Sequence, residues 1–380
     1  MLQRAKADYA LFAVIVGLAA FGLVMVYSSS AVVAEVKFEE KSYYFLMRQA
    51  IAAVLGFLLL MVLSKRDYKM LDSPRWAFAM LGIVLFLLVV VYFADPRAHR
   101  WLRMGFMQIQ PSELAKPALI VFLAHFVTHR ASAINHKHTL GPAALALAVL
   151  AGTVVAADLG TAVVLVGTAA AVFYVAGLER RYFLRAMVAM GIVLSIAILM
   201  KPYRIARLIT YLDPEYKVLR LVDPEKKILA YAQRSGGGRD NGYQTRQSVL
   251  AVGSGGPLGR GLGRGKQKLL YLPEAHNDFI YAVVAEEWGL LGTLGLLGAF
   301  VFILIRGFRL YWLAADDFGR YLAVGVTTSV VLQALIHMSV VVDLVPNKGI
   351  PLPLISYGGS AMLGTLISFG LLLSVSERAG

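Results

Sequence analysis

The sequence predicts an all-α polytopic membrane protein with about ten transmembrane helices. Hydrophobic residues make up 58% of its 380 residues, far above the apolar share of a soluble domain. Ten nearly uninterrupted apolar runs approach the ~20 residues that cross a ~30 Å hydrocarbon core. We expect a single membrane domain over residues 1–380, with spans at 9–27, 46–64, 76–94, 112–128, 141–157, 160–178, 184–200, 279–305, 321–342 and 353–375.

The first span follows a short basic segment, MLQRAKAD. This segment resembles the start of a signal peptide, but no clear small-residue cleavage site follows it, so we expect an uncleaved span. The chain has no cysteine, which excludes disulfides and thiolate metal sites. Its net charge of +14 suits anionic headgroups and anionic substrates, and we expect no nucleic-acid partner.

The charges of the short loops predict the orientation. The loops after spans 2, 4, 6 and 8 carry clusters of lysine and arginine, and they lie on the same side as the N-terminal Arg4 and Lys6. The loop after span 1 instead carries Glu35, Glu39 and Glu40. The positive-inside rule therefore places both termini in the cytoplasm.

One loop is much longer than the others. Residues 201–278 connect spans 7 and 8 on the predicted extracytoplasmic side, and they are rich in lysine, arginine and glycine. Because a structureless loop of this length is uncommon in a compact protein, we expect amphipathic helices that lie on the membrane, at 203–213 and 226–234.

The end of this loop gathers ionisable residues. Glu274, His276 and Asp278 lie within five residues, directly before span 8. A carboxylate at the membrane boundary that faces a basic loop can act as a general base or a metal ligand. The alternative for Asp278 is a helix-start acid that offsets unpaired backbone N–H groups.

A glycine-rich basic stretch, GSGGPLGRGLGRGKQK, precedes this cluster. It is not a nucleotide P-loop, because Gln267 stands where a serine or threonine would bind magnesium. Glycines interleaved with Arg260, Arg264 and Lys266 nevertheless suit a phosphate, since bare backbone can approach it and the cations neutralise its charge. The alternative is a flexible tether whose charges meet lipid headgroups.

Other candidate residues lie at the predicted outer ends of the spans. Glu113 and Lys116 are three residues apart on span 4, so they share a helix face; they either pair structurally or line an outer cavity with Asp278. Lys348 lies in a proline-rich loop before span 10, where the alternative is a solvent-facing turn lysine. Asp158 lies between spans 5 and 6, where a cap of span 6 is the simpler interpretation.

Two further groups need an explanation. Glu286 and Glu287 lie within span 8, so both must face the protein interior or a wet cavity. Histidines 125, 129, 136 and 138 lie near the cytoplasmic end of span 4. No sequence signal indicates a convergent metal geometry for them, and we interpret them as part of a cytosolic loop.

With these residues in view, the sequence resembles the SEDS family (shape, elongation, division and sporulation) of bacterial membrane glycosyltransferases. It is most similar to the division-type FtsW branch, and the elongation-type RodA branch shares most of the motifs. The segments that carry the resemblance are QPSE at 110–113, DLGTA at 158–162, QKLLYLPEAHNDFIYAVVAEEWG at 267–289 and PNKGIPLPLISYGGS at 346–360.

The resemblance implies polymerisation of lipid II into glycan strands at the outer face of the inner membrane during cell division. The essential acid of the family falls on Asp278, which would act as general base. Its functional lysine falls on Lys348, and polyprenyl diphosphate is the leaving group. The expected substrate-binding residues are Glu113, Lys116, Arg260, Arg264, Lys266, Glu274, His276 and Lys348, with or without a divalent cation such as Mg²⁺ or Mn²⁺.

The resemblance also implies partners, namely a class B penicillin-binding protein transpeptidase (FtsI-like) and other divisome membrane proteins. Two other classes of function remain open from the sequence. A flippase would move lipid II across the bilayer, although transporters often place their sites near the midplane between repeated halves. A scaffold that only docks division proteins would leave the Asp278 cluster unexplained.

Overall fold

The computed structural model describes residues 8–95, 99–104, 107–213 and 237–379. Apart from one short hairpin, the secondary structure of these residues is helical. The α-helices are α1 (Tyr9–Lys37), α2 (Tyr44–Lys65), α3 (Pro74–Ala94), α4 (Pro111–Thr128), α5 (Lys137–Ala157), α6 (Leu159–Val175), α7 (Arg180–Leu199), α8 (Pro202–Leu212), α9 (Gly237–Gly255), α10 (Ile280–Leu313), α11 (Asp317–Val341) and α12 (Gly359–Glu377). The hairpin pairs β1 (Leu102–Met104) with β2 (Met107–Ile109) in antiparallel register.

Each of the ten predicted spans coincides with a helix. Among the described residues, 8 helices are long and apolar enough to cross a membrane, and α6 is a shorter apolar helix. The remaining span, α4, carries charged and polar residues that lower its hydropathy. The chain is a multi-pass membrane protein, as its composition predicts.

Helix α4, which carries Glu113 and Lys116 in its first turns, lies at the centre of the bundle. All but two of the 18 residues of α4 are buried, and α4 packs against α3, α6, α11 and α12. Its neighbours shield it from lipid, so α4 can carry polar side chains that a lipid-facing helix could not.

The entry to the last span differs from the prediction. Helix α12 begins at Gly359 rather than at residue 353, because residues 351–358 are non-helical, and 351–356 of them are buried. Backbone groups at membrane depth need partners, and neighbouring segments supply them. Ser356 Oγ accepts from Leu352 N at 2.8 Å and donates to Asn277 O at 2.7 Å, while Tyr357 N donates to His276 O at 2.9 Å.

Helix α10 contains a break. Gly289 has φ 64° and ψ −156°, which is outside the helical region, and glycine adopts such a conformation without a side-chain clash. The break leaves Leu290 N without its helical acceptor, and this group donates to Gly256 O at 2.9 Å. The glycine-rich stretch therefore docks onto α10 at the break.

The long loop is partly helical. Helix α8 confirms the first predicted amphipathic helix, whereas the second, at 226–234, lies outside the described residues, as do Arg4 and Lys6. Helix α9 was not predicted, because its first half is polar and glycine-rich. It packs against α8 and α10.

Candidate active site

A cavity of about 260 Å³ lies beside Asp278, two residues before the start of α10. Its other walls are formed by Asp158 directly before α6, by helix α8, by the loop before β1 and by the loop between α11 and α12. The ionisable side chains that line it are those of Arg100, Asp158, Arg204, Arg207, Asp278 and Lys348. The structure thus brings together three residues that the sequence analysis singled out, namely two acids and one lysine.

Asp278 is half-buried in this wall. Helix α10 begins at Ile280 with Phe279 as its cap residue, and among the described residues the Asp278 carboxylate accepts no hydrogen bond. The interpretation of Asp278 as a helix cap is therefore wrong. Burial raises the pKa of Asp278 to about 6, and the nearby Arg100 guanidinium partly opposes this effect. The result is an unpaired carboxylate that faces a polar cavity.

The loop between α11 and α12 approaches Asp278 very closely. A Cβ atom on Gly349 would lie 2.7 Å from Asp278 Oδ2, so a side chain at this point of the loop would have to displace the carboxylate. Arg100 fixes the same point of the loop, because its Nη2 donates to Gly349 O at 3.3 Å and to Asp158 Oδ2 at 3.1 Å.

Asp158 has two roles. Its Oδ1 accepts from Gly160 N at 3.0 Å and from Thr161 N at 3.1 Å, which confirms the predicted cap of α6. Its Oδ2 accepts from Arg100, from Thr161 Oγ1 and from Gln110 Nε2. The Asp158 carboxylate is therefore saturated by protein donors, although it borders the cavity.

Lys348 is half-buried in the cavity wall rather than solvent-facing. Burial and the Arg204 guanidinium lower the pKa of Lys348, while Asp158 opposes the shift. Among the described residues the Lys348 ammonium group has no hydrogen-bond or ion-pair partner. The adjacent Asn347 is held by Arg207 Nη1, which donates to its carbonyl at 3.5 Å, and by Gln244 Oε1 at 3.1 Å.

Three arginines of the cavity were missed in the sequence analysis. Arg204 and Arg207 lie three residues apart on the amphipathic helix α8, so they share a face and both line the cavity. Arg100 follows α3 in a short loop on the predicted outer side. A cation in a short outer loop opposes the positive-inside trend, and this departure was the available signal.

The pair of Glu113 and Lys116 lies away from the cavity lining. Lys116 Nζ contacts Glu113 Oε2 at 2.6 Å and Gln333 Oε1 at 2.6 Å, and both members of the pair are buried. Gln333 Nε2 in turn donates to Pro351 O at 2.7 Å. This arrangement supports structural pairing rather than substrate contact, since the pair braces the buried loop before α12.

The glycine-rich loop binds the protein's own carboxylates. Glu286 Oε1 accepts from Lys266 N at 2.9 Å, and Glu286 Oε2 accepts from Gln267 N at 3.0 Å. Glu286 Oε1 also forms a salt bridge with Arg260 Nη1 at 3.2 Å. The side chains of Arg264 and Lys266 are exposed. None of the three predicted phosphate-binding cations lines the Asp278 cavity, and the loop instead holds the carboxylate of Glu286. Binding of a substrate phosphate by these cations stays a prediction.

Glu287 is held in the same way. Its carboxylate forms a salt bridge with Lys268 Nζ at 2.6 Å and accepts hydrogen bonds from Gly263 N at 3.1 Å and from Ser28 Oγ at 2.8 Å. Glu286 and Glu287 are both almost completely buried. Two carboxylates within a membrane span are tolerated here because charged and backbone donors surround them.

Glu274 and His276 also lie away from the cavity lining. Glu274 is exposed with φ 53°, and its carbonyl accepts from Asp278 N at 3.1 Å. His276 is buried, with its ring centroid 4.7 Å from that of Phe45 and 5.6 Å from that of Tyr357, and burial lowers its pKa. Both residues belong to the segment that presents Asp278, and neither lines the cavity. Their assignment to substrate binding stays a prediction.

Comparison with known proteins decides the family. Residues 9–379 match the FtsW/RodA/SpoVE family of cell cycle proteins. The chain belongs to this family. It is 38% identical to the probable peptidoglycan glycosyltransferase FtsW of Geobacter metallireducens, over 98% of this chain and 95% of the relative. It is 35% identical to the stage V sporulation protein E of Bacillus subtilis, over 99% and 98% of the two chains.

Solved structures agree with this FtsW/RodA/SpoVE assignment. A chain of a peptidoglycan synthase complex that coordinates polymerization and crosslinking superposes with a TM-score of 0.76 at 27% identity, covering 98% of both chains. The rod shape determining protein RodA of Thermus thermophilus gives a TM-score of 0.67 at 26% identity, also over 98% of both chains. The resemblance inferred from the sequence motifs is confirmed.

The donor set of this FtsW/RodA/SpoVE cavity does not fit a divalent cation held by the protein alone. Mg²⁺ usually takes one or two carboxylates together with waters and substrate phosphates. Among the cavity's described residues, Asp278 offers one unpaired carboxylate, whereas Asp158 is saturated and four side chains are cationic. A cation would have to arrive with the phosphates of a substrate.

Proposed function

We propose that this cavity is the active site in which the protein polymerises lipid II, with Asp278 as the general base. The protein is a peptidoglycan glycosyltransferase of the SEDS family. The observation that carries the site assignment is the half-buried Asp278 carboxylate, which has no partner among the described residues and faces a cavity lined by cations. Buried polar groups are normally paired, so an unpaired acid indicates a group reserved for chemistry.

Asp278 accepts the proton in this mechanism. A sugar hydroxyl of one substrate loses its proton to the carboxylate while its oxygen attacks the anomeric carbon of the other. A pKa of about 6 leaves the group ionised at neutral pH and makes it a stronger base than an ordinary aspartate. Because the attack comes from the face opposite the leaving group, the anomeric configuration is inverted.

The cations of the cavity act on the leaving group. The bond between the anomeric carbon and the phosphate oxygen breaks, and polyprenyl diphosphate departs with the bonding electron pair. Its negative charge needs stabilisation but no proton, so no second acid is required. Lys348 and Arg100, together with the arginines of α8, provide fixed positive charge at this place, and such preorganised charge lowers the barrier.

The charge pattern of the loops supports a site at the outer face of the inner membrane, with both termini in the cytoplasm. A cysteine test suits a chain that has none of its own. An impermeant thiol reagent should label Leu262→Cys, in the exposed glycine-rich loop, but not Ser132→Cys, which is exposed after α4. Labelling of Ser132→Cys alone would show that the orientation in the membrane is opposite to the one proposed.

A class B penicillin-binding protein is the partner that we propose. The similarity to a chain of a peptidoglycan synthase complex supports this pairing. Helix α11 offers little surface for this partner, because 72% of its most apolar 18-residue stretch is buried inside the protein. Helix α10, in contrast, is largely exposed beyond its break. The apolar side chains exposed on this part of α10 include those of Leu290, Leu291, Leu294, Val301, Ile305 and Trp312.

Purified protein in proteoliposomes with labelled lipid II tests the function. Glycan strands should form, with more of them when the transpeptidase partner is present, and Asp278→Asn protein should form far fewer. Translocation of lipid II without polymer would indicate a flippase. If neither polymer nor translocated lipid II is found in the presence of the partner, the remaining function is that of a scaffold.

A further inference from the structure

Three metal-ligating side chains converge at the end of α4 that lies away from the cavity. His125 is in the last turn of α4, His129 is its cap residue, and Asp72 follows a short 3-10 helix (Tyr68–Leu71) between α2 and α3. His125 Nδ1 lies 2.8 Å from Asp72 Oδ1, and His129 Nδ1 lies 3.6 Å from the same oxygen. All three ligand atoms lie within 4.8 Å of one another.

Local structure explains the convergence. Residues four apart on a helix share a face, so the two imidazoles lie side by side, with ring centroids 4.4 Å apart. Asp72 is held opposite them, because its N–H donates to Lys69 O at 3.0 Å and the following Ser73 caps α3. Backbone interactions thus position the carboxylate.

The spacing fits a tetrahedral metal centre. Zinc bonds of ~2.0–2.1 Å to nitrogen and oxygen place neighbouring ligand atoms about 3.3 Å apart. The two distances to Asp72 Oδ1 bracket this value. A neutral imidazole that turns its Nδ1 lone pair toward a carboxylate is repelled by it, so a proton or a metal ion must lie between them.

We propose that Asp72, His125 and His129 form a binding site for a divalent transition-metal ion, with water as the fourth ligand. Two imidazoles and one carboxylate favour zinc, cobalt or nickel over the harder magnesium and calcium. To bind, His129 Nδ1 exchanges its contact with His125 O, now at 3.0 Å, for the metal.

The site is separate from the proposed catalytic cavity. Gln110, which precedes α4, reaches Asp158 at the cavity, and the 18 residues of α4 place the histidine end roughly 25 Å away. The ion would join the connection between α2 and α3 to α4. Its role is therefore to fix these elements to each other, without contact to the reacting groups.

Zinc binding by the full-length protein tests the proposal. Untagged protein in detergent, stripped with EDTA and dialysed, is titrated with ZnCl₂ against a chromophoric zinc chelator. The wild type should bind one equivalent. His129→Ala should bind at least ~10–100-fold more weakly, since even outer-shell changes cost this much. His129 is 52% exposed, so its replacement leaves the fold intact.

His136→Ala is the matched control, because His136 is exposed in the neighbouring loop but does not belong to the cluster. It should bind zinc as the wild type does. Zinc should also raise the unfolding temperature of the wild type and of this control by mass action, but not that of His129→Ala. Cobalt should give the intense visible absorption of a tetrahedral centre in the first two proteins.

Three outcomes would overturn the proposal. Equal zinc affinity of wild type and His129→Ala would show that the ion binds elsewhere. No binding above background in the wild type would leave Asp72 and His125 as a simple ion pair. Loss of binding in His136→Ala alone would equally contradict the assigned ligands.

Discussion

Gly349 lies directly against the carboxylate of Asp278, with no room for a side chain between them. The two residues come from different segments, one preceding α10 and one between α11 and α12, and both line the cavity, so a side chain at position 349 would displace the acid. The geometry of the proposed base therefore depends on a residue that has no functional group.

Replacing Gly349 should disturb the base without removing it. In Gly349→Ala the added methyl would have to push Asp278 or the loop aside, because its Cβ would lie 2.7 Å from Oδ2. A displacement near 1 Å can cost ~10²-fold in rate, and we expect a loss of this order in lipid II polymerisation. Gly358→Ala in the same loop should be nearly silent, since its Cβ meets Ala361 at an ordinary 3.5 Å.

Asp278→Asn should lower the polymerisation rate by ~10²–10⁴-fold, the usual contribution of a general base. Lipid II binding should persist, because the amide has nearly the same shape. The wild-type rate should fall as the pH decreases through about 6, where burial has placed the pKa of Asp278. A folded Asp278→Asn protein with the wild-type rate would remove this residue from the mechanism.

Ionised Asp278 should also destabilise the folded state at neutral pH. Burial raises its pKa from 3.8 to about 6, so between these values the folded state binds more protons than the unfolded state and stability falls as pH rises. The shift corresponds to at most about 3 kcal/mol. Asp278→Asn should therefore raise the unfolding temperature more at pH 7.5 than at pH 5, whereas Glu40→Gln, an exposed acid, should not. An equal gain at both pH values would contradict the raised pKa.

Substitutions of Lys348 and Lys266 should distinguish the roles of the two cationic regions, the Asp278 cavity and the glycine-rich loop. Lys348→Ala removes a partly buried charge from the cavity wall and should slow polymerisation markedly without changing the unfolding temperature. Lys266→Ala removes an exposed charge, while the backbone N–H that binds Glu286 remains, and should have little effect. Equal losses in the polymerisation assay would indicate that the glycine-rich loop also reaches the substrate.

The buried pair of Lys268 and Glu287 should matter for stability. Their side chains are 5% and 0% exposed, so Glu287→Gln leaves an uncompensated ammonium group and should cost ~3–5 kcal/mol. Arg320→Ala breaks an exposed pair with Asp317 and should cost only ~0–1 kcal/mol. Thermal unfolding in detergent measures both, and similar small shifts would mean that water reaches Glu287.

The sequence predicted the helices well because a membrane span is a local property. Apolar length alone located all ten spans, including the central α4. The start of α12 was misplaced, because residues 351–356 form a buried and mainly apolar loop, and hydropathy does not distinguish a buried loop from a helix. The prolines in this segment were the available warning.

The site was predicted in part. Asp278 and Lys348 lie together in the cavity, whereas Arg260 pairs with Glu286. A basic residue in a sequence predicts that it binds an anion, but it does not identify that anion as a substrate phosphate or a carboxylate of the protein. The cluster at the other end of α4 was not found, because Asp72 is 53 residues from His125 and only the packing of α3 against α4 brings them together.

One amide in α2 holds the loop that carries Lys348 and Gly349. Gln49 Nε2 donates to Ser356 O at 3.1 Å, and Gln49 Oε1 accepts from Gly358 N at 3.0 Å. The side chain is fully buried and does not line the cavity. A genetic screen for inactive alleles should therefore recover substitutions of Gln49 as well as substitutions of the cavity residues. Loss of the residue that positions the loop removes activity just as loss of a reacting group does.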